Sequence, residues 1–229
     1  MRFLLVNDDG IEAPGLAALE QAMHGFGHYV VLAPDRHHSG CGHQATTHRS
    51  LLLSELAGDR YMLDGTPADC TRVGLKVTAP DVDWVIAGIN EGGNLGADIY
   101  MSGTVAAVRE GALLGKPGIA ISHYVRRGLP LDWTQASRWS AAVIDRLMAE
   151  EQVPGTYWNV NLPHLDPGPG TLPDQVVCRA DSHALPVSYR QEEGRLRYFG
   201  DYHSRERDPG TDVDVCFSGR ISITKLSVR

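Results

Sequence analysis

The sequence predicts an α/β fold: a mostly parallel sheet covered by helices, followed by a β-rich extension. Three observations carry this. Short stretches at 3–6, 29–33, 83–87, 118–122 and 158–162, mostly apolar, read as strands of a sheet. Between them, apolar residues recur at steps of three and four, the spacing of a helix with one buried face. Beyond about residue 164 the pattern changes to short alternating pieces separated by turn residues. Alternation of strand and helix requires parallel pairing through right-handed crossovers. The expected division is a core over 1–165 and, over 166–229, a hairpin extension with a final strand.

The first strand stops at Asn7-Asp8-Asp9-Gly10, and Pro14 opens a helix to about residue 24 with Leu16, Leu19 and Met23 inward. Gly25 and Gly27 end it, and the strand over 29–33 closes at Pro34-Asp35. Residues 34–50 form a polar loop holding four of the ten histidines: His37, His38, His43 and His48. Their spacing lacks a helical His-x-x-x-His pair, so solvated or substrate-facing histidines are expected rather than zinc ligands. A short strand over 61–63 precedes Thr66-Pro67-Ala68-Asp69, a capping threonine, a first-turn proline and a capping-box acid. Cys70, Val73 and Val77 are the expected buried stripe of that helix.

The strand over 83–87 exits into a stretch holding Asn90 and Asn94 among four glycines between Gly88 and Gly96. Ser102-Gly103-Thr104 starts a helix with Val105, Val108 and Ala112 inward and Gly115-Lys116-Pro117 at its end. A strand over 118–122, a helix marked by Ala136, Trp139, Val143 and Leu147, and a strand over 158–162 complete the core. Asp166-Pro167-Gly168-Pro169-Gly170 reads as a loop, and pieces at 187–189 and 196–199 flank a Glu193-Gly194 turn. Pro209-Gly210-Thr211-Asp212 precedes a last alternating strand over 220–226.

The 229 residues are 42% apolar and 21% charged, ordinary for a soluble enzyme-sized domain. A net charge of −7 argues against indiscriminate binding to nucleic-acid backbones. No stretch approaches a membrane span, and the N-terminus lacks the regions of a secretion signal, so a cytoplasmic protein is expected. Cys41, Cys70, Cys178 and Cys216 are scattered without a C-x-x-C pair, which points to reduced thiols.

Ligands of open α/β sheets bind beyond the carboxyl ends of the strands. Three polar, glycine-bearing stretches occupy that rim: Asp8-Asp9, Ser39-Gly40 and residues 90–104. Adjacent carboxylates are costly unless a cation neutralises them. Asparagine carbonyls and a serine hydroxyl are neutral oxygen donors suited to Mg²⁺ or Mn²⁺. The Ser102-Gly103-Thr104 helix start offers N–H groups and a positive dipole end to a phosphate. Together these suit hydrolysis of a phosphate ester.

The same residues carry a family resemblance. Joined by Ala13-Pro14-Gly15, Ala33-Pro34-Asp35-Arg36, Gly65-Thr66-Pro67, Gly111 and Pro209-Gly210-Thr211-Asp212, they make the sequence resemble the SurE survival-protein family, divalent-metal-dependent 5′/3′-nucleotidases. The resemblance spans almost the whole chain. It implies a Rossmann-like three-layer α/β fold with a mostly parallel sheet and a β-hairpin extension. It also implies one divalent cation, Mg²⁺ or Mn²⁺, on Asp8, Asp9, Ser39 and Asn90, with Asn94, Ser102, Gly103 and Thr104 at the phosphate. Asp8, Asp9 and Asn94 would be the catalytic residues, and nucleoside 5′-monophosphates the substrates. Cleavage of 3′-monophosphates and short polyphosphate stays open. A homo-oligomer, dimer or tetramer, is implied as well. The chain departs from its relatives at Gly40-Cys41-Gly42-His43, where they usually carry Gly-Ala-Ser, and in stopping at Arg229, where they commonly continue into a helical tail.

Two alternatives stand beside this reading. A haloacid-dehalogenase-type phosphatase would put its nucleophilic aspartate at Asn7, whose amide cannot form an aspartyl-phosphate. A non-catalytic nucleotide- or metal-binding module could use the same fold. A dinucleotide oxidoreductase is disfavoured because no G-x-G-x-x-G follows the first strand. His43 is a candidate proton donor to the leaving group.

Overall fold

Strand β1 (Arg2–Val6) is apolar at successive positions because both its faces are covered: Phe3 and Leu5 enter one core cluster, Leu4 and Val6 another. The computed structural model describes residues 1–165 and 171–228; the loop read at 166–170 lies outside the described residues. Helix α1 (Pro14–Ala22) and strands β2 (His28–Pro34), β3 (Leu53–Glu55) and β4 (Arg60–Leu63) follow. Next come α2 (Pro67–Val73), β5 (Trp84–Glu91), α3 (Asp98–Met101), α4 (Gly103–Leu113), β6 (Gly118–His123), α5 (Trp133–Met148) and β7 (Thr156–Leu162). Strands β8 (Gln175–Val177), β9 (Tyr189–Glu192) and β10 (Arg195–Tyr198), helix α6 (Asp212–Phe217) and β11 (Ile221–Ser227) complete the described chain.

Nine strands form one sheet in the order β3-β4-β2-β1-β5-β6-β7-β11-β8. The run from β4 to β7 is parallel throughout, while β3 and β11 pair antiparallel with β4 and β7. Leu16 and Leu19 of α1 and Trp139, Val143 and Leu147 of α5 cover one face; Cys70 of α2 and Val105, Val108 and Ala112 of α4 cover the other. The result is a Rossmann-like three-layer fold. Crossovers run outward from β1 through β2 and β4, then resume on the opposite side at β5. The strand order therefore reverses between β1 and β5, the crevice where open α/β sheets bind ligands. Glycine at position 15 keeps this region tight, since a Cβ there would lie 1.9 Å from the Ile89 carbonyl oxygen.

The structure changes several details. Strand β5 continues through Glu91, so Asn90 is a strand residue and not part of the glycine loop. Its register against β6 shifts between Ala87 and Asn90. The Thr66–Asp69 capping box forms with both of its hydrogen bonds. Val77, however, is exposed: from Gly74 to Thr78 the chain widens into a π-helical turn, and the altered winding rotates Val77 outward. In the segment 166–229, β8 and β11 join the main sheet, and the β9–β10 hairpin stands apart as the extension. That hairpin turns at Glu193 and Gly194, both with positive φ, as a two-residue turn matching strand twist requires. Helix α6 was not legible in the sequence. No helix among the described residues is long and apolar enough to cross a membrane.

Candidate active site

Asn7, buried at the end of β1, folds the turn beneath the two carboxylates: its Nδ2 donates to Gly10 O at 2.8 Å, and its Oδ1 accepts from Gly10 N at 3.2 Å. Asp8 and Asp9 take different partners. Asp8 is 3% exposed and accepts a 2.6 Å hydrogen bond from Thr104 Oγ1. Asp9 is less buried; it accepts from Glu91 N at 3.3 Å and lies 3.0 Å from His37 Nδ1. Glycine at 103 permits α4 to start against Asp8, because a Cβ there would sit 2.9 Å from the Asp8 carboxylate.

Burial pushes the Asp8 carboxyl up to about 6, the Thr104 hydroxyl pulls against that, and the neighbouring Asp9 adds to it. No ion pair with a basic side chain relieves Asp8 among the described residues. Burying a carboxylate without a counter-charge is unfavourable, which fits a site meant to hold a cation.

The neutral donors are placed as follows. Asn90 donates its amide N–H to Gly92 O at 2.7 Å, so its Oδ1 is the end left for a ligand. The Asp9–Glu91 hydrogen bond ties this part of β5 to the end of β1. Ser39 is exposed, and its loop is held at the rim by His38 N donating to Asp8 O at 2.7 Å. Two carboxylates, an amide oxygen and a hydroxyl form a hard-oxygen set that fits Mg²⁺ or Mn²⁺.

Of the polar-loop histidines, His37 faces Asp9 and His43 faces Glu110. His43 Nε2 meets Glu110 Oε2 at 2.7 Å, and Glu110 also accepts from Arg72 Nε at 2.6 Å. His43 thereby anchors the loop after Ser39. The half-buried His38 has its Nε2 buried without a partner, and burial holds its pKa below the ordinary value.

Asn94 is fixed by groups that sequence reading passed over. Its N–H donates to Asn161 Oδ1 at 2.7 Å, and its carbonyl accepts from Asn159 Nδ2 at 2.8 Å and Asn161 Nδ2 at 3.1 Å. Its side chain meets Ser122 Oγ at 2.7 Å. The signal was present: asparagines two apart on a strand otherwise fully apolar share one face and need partners. Arg205 and Asp212 clamp the following residues, with Arg205 Nη2 on Leu95 O and Gly96 N on Asp212 Oδ2, both at 2.8 Å.

Ser102 is the N-cap of α4, its Oγ accepting from Val105 N at 3.1 Å. The backbone N–H of Gly103, at the first helical position, has no intrahelical acceptor, while the N–H of Thr104 is directed at the Asp8 carboxylate. The structure thus brings Asp8 against Gly103 and Thr104, and Asp9 against Glu91 beside Asn90, with Ser39 and Asn94 on adjoining stretches. A separate group, Asp181, His183 and Asp208, offers ligand atoms within 4.8 Å of one another. Its oxygens already accept from Asp208 N, His183 N and Thr211 Oγ1, and Asp208 pairs with Arg179, which accounts for it as a structural knot.

An acid-lined crevice at the reversal point of a parallel sheet, beside a helix N-terminus, marks a Rossmann-like α/β protein. The Survival protein SurE family model matches residues 3–182, and the chain belongs to that family. A Synechocystis protein provisionally named a 5′-nucleotidase is 50% identical over 228 residues, spanning 100% of both chains. The 5′-nucleotidase SurE of Syntrophotalea carbinolica is 43% identical over 233 residues, 99% of this chain and 91% of that one. The crystal structure of the SurE protein from Aquifex aeolicus superposes with a TM-score of 0.88 at 35% identity, covering 100% of this chain and 94% of that one.

Proposed function

We propose that the protein is a 5′-nucleotidase that hydrolyses nucleoside 5′-monophosphates to nucleoside and phosphate with one divalent cation, Mg²⁺ or Mn²⁺. The observation that carries this reading is Asp8: a buried carboxylate at the sheet's reversal point, held by Thr104 and in no ion pair with a basic side chain among the described residues. Asp8, Asp9, Ser39 and Asn90 would hold the ion. Bound there, it would polarise a phosphoryl oxygen and favour deprotonation of water.

The chain's own groups do the rest. The Gly103 N–H, at the positive end of α4, would bind a phosphate oxygen, with Thr104 beside it. Thr104 Oγ1 is bonded to Asp8 and its backbone N–H faces the same carboxylate, so this residue holds Asp8 beside the phosphate site. Ser102 supports the helix start that presents Gly103 and Thr104. Asn94, whose Nδ2 donates to Ser122 Oγ at 2.7 Å, would line the phosphate. Asp9, the more accessible carboxylate, orients the attacking water and accepts its proton. Asn7 holds the turn and offers no nucleophile, which favours direct attack by water over a covalent phosphoenzyme. Residues 1–165 form the catalytic core in this reading, and the protein acts in the cytoplasm as a homo-oligomer, dimer or tetramer.

The test is phosphate release from AMP and GMP with Mn²⁺ or Mg²⁺, repeated with chelator and with the corresponding 3′-monophosphates. Release that needs metal and disappears in Asp9→Asn, at an unchanged denaturation midpoint, is the expected result. No release under any metal would favour the non-catalytic binding module, and near-full turnover by Asp9→Asn would remove Asp9 from its role.

A further inference from the structure

A cavity of about 630 Å³ opens beyond the carboxyl ends of β6 and β7, and α6 forms one wall. Arg126, Arg127, Arg207, His164 and His203 line it, and no acidic residue does among the described residues. Tyr124 and Phe217 stack on one another in its wall, with ring centroids 4.6 Å apart. In a protein of net charge −7, three guanidinium groups around one acid-free cavity are a local reversal of sign.

The individual contacts show how the cations are presented. His164 Nδ1 accepts from Arg126 N at 2.8 Å and its Nε2 meets Pro130 O at 3.2 Å, which fixes the segment carrying both arginines. Arg126 and Arg127 are exposed, and neither side chain forms an ion pair among the described residues. Arg207 lies over the Phe217 ring at 5.3 Å and reaches Asp214 only at 3.8 Å. His203 Nδ1 is 2.5 Å from the Tyr124 hydroxyl, so that histidine is held in the wall. Arg127 also lines an adjoining cavity of about 680 Å³ together with Arg190 and Arg197.

Planar guanidinium groups match phosphate oxygens two at a time. Three of them exceed the charge of one phosphate dianion and suit a ligand with two linked phosphates. The cavity lies beyond β6 and β7, two and three strands from β1, which carries Asp8 and Asp9 at its end, and it shares no lining residue with the Asp8–Asp9 crevice. We propose that the cavity between β6, β7 and α6 is a second anion site, which binds a diphosphate group either free or carried on a nucleoside.

The test is calorimetric titration of pyrophosphate, and separately of ADP, into the full-length protein in EDTA, where the metal crevice is disabled. Wild type binds at least one of them, and binding weakens as salt is raised. Arg126→Ala combined with Arg127→Ala weakens it at least about tenfold at an unchanged denaturation midpoint, while Asp9→Asn binds as wild type. Tighter binding of ADP identifies a nucleoside-borne ligand; equal or weaker binding identifies free diphosphate. Absence of binding in wild type, wild-type binding by the arginine variant, or loss of binding in Asp9→Asn would each overturn the proposal. The Asp9→Asn arm separates failure of this site from failure of the nucleotidase reading.

Discussion

Thr104→Val is the most incisive single perturbation of the crevice. The change is nearly isosteric and removes one hydroxyl, the one donating to Asp8 Oδ1 at 2.6 Å. Thr104 is fully buried and Asp8 nearly so, so bulk water does not readily replace the lost donor. A hydrogen bond to a charged group contributes about 1.5–3 kcal/mol, and this one opposes a burial that already raises the Asp8 carboxyl to about 6. Without it, the proton competes better with the cation. Supporting contacts of this kind change metal affinity by about 10- to 100-fold. Titration of Mn²⁺ into wild type, Thr104→Val and Thr104→Ser at pH 7 measures the effect. The valine variant should bind tenfold or more weakly and recover part of the loss as pH rises, and the serine variant should stay near wild type. Equal Mn²⁺ affinity in wild type and Thr104→Val would refute the link between Thr104, Asp8 and the cation.

Other predictions concern the frame that holds the site. Gly15→Ala places a Cβ 1.9 Å from the Ile89 carbonyl oxygen, and α1 and β5 must separate; chemical denaturation should show a loss of about 1–3 kcal/mol. Arg205→Met leaves the partly buried Asp98 carboxylate without its 2.9 Å partner and frees the Leu95 carbonyl, so a loss of about 3 kcal/mol is expected in the same measurement. Asp181 answers to pH: burial alone would raise its carboxyl, but hydrogen bonds from Asp208 N, His183 N and Thr211 Oγ1 outweigh that and bring it down to about 2 from 3.8. A depressed carboxyl stabilises the fold above its ordinary pKa and loses that contribution as pH falls from about 4 to 2. The loss is about 2 kcal/mol, and Asp181→Asn should lack this component of acid unfolding.

What the sequence alone determined is local. Buried strands were legible as apolar runs, and the start of α2 as the Thr66–Asp69 box, because their signals lie within a few residues of the structure they make. The same holds for Asp8 and Asp9, which stand where a strand must end, and for Ser102, which stands where a helix must begin. Only the tertiary structure decided which groups meet. It paired Thr104 with Asp8 across 96 residues, Asn161 with Asn94 across 67, His43 with Glu110 across 67 and Gly96 with Asp212 across 116. It also opened the π-helical turn that rotates Val77 outward and folded α6 over the end of the sheet. Periodicity tells which side of an element is buried, but not which distant side chain shares that space. The carboxylates could be found in the chain; the hydroxyl, asparagines and arginine that hold the site in place could be assigned only from the packed sheet.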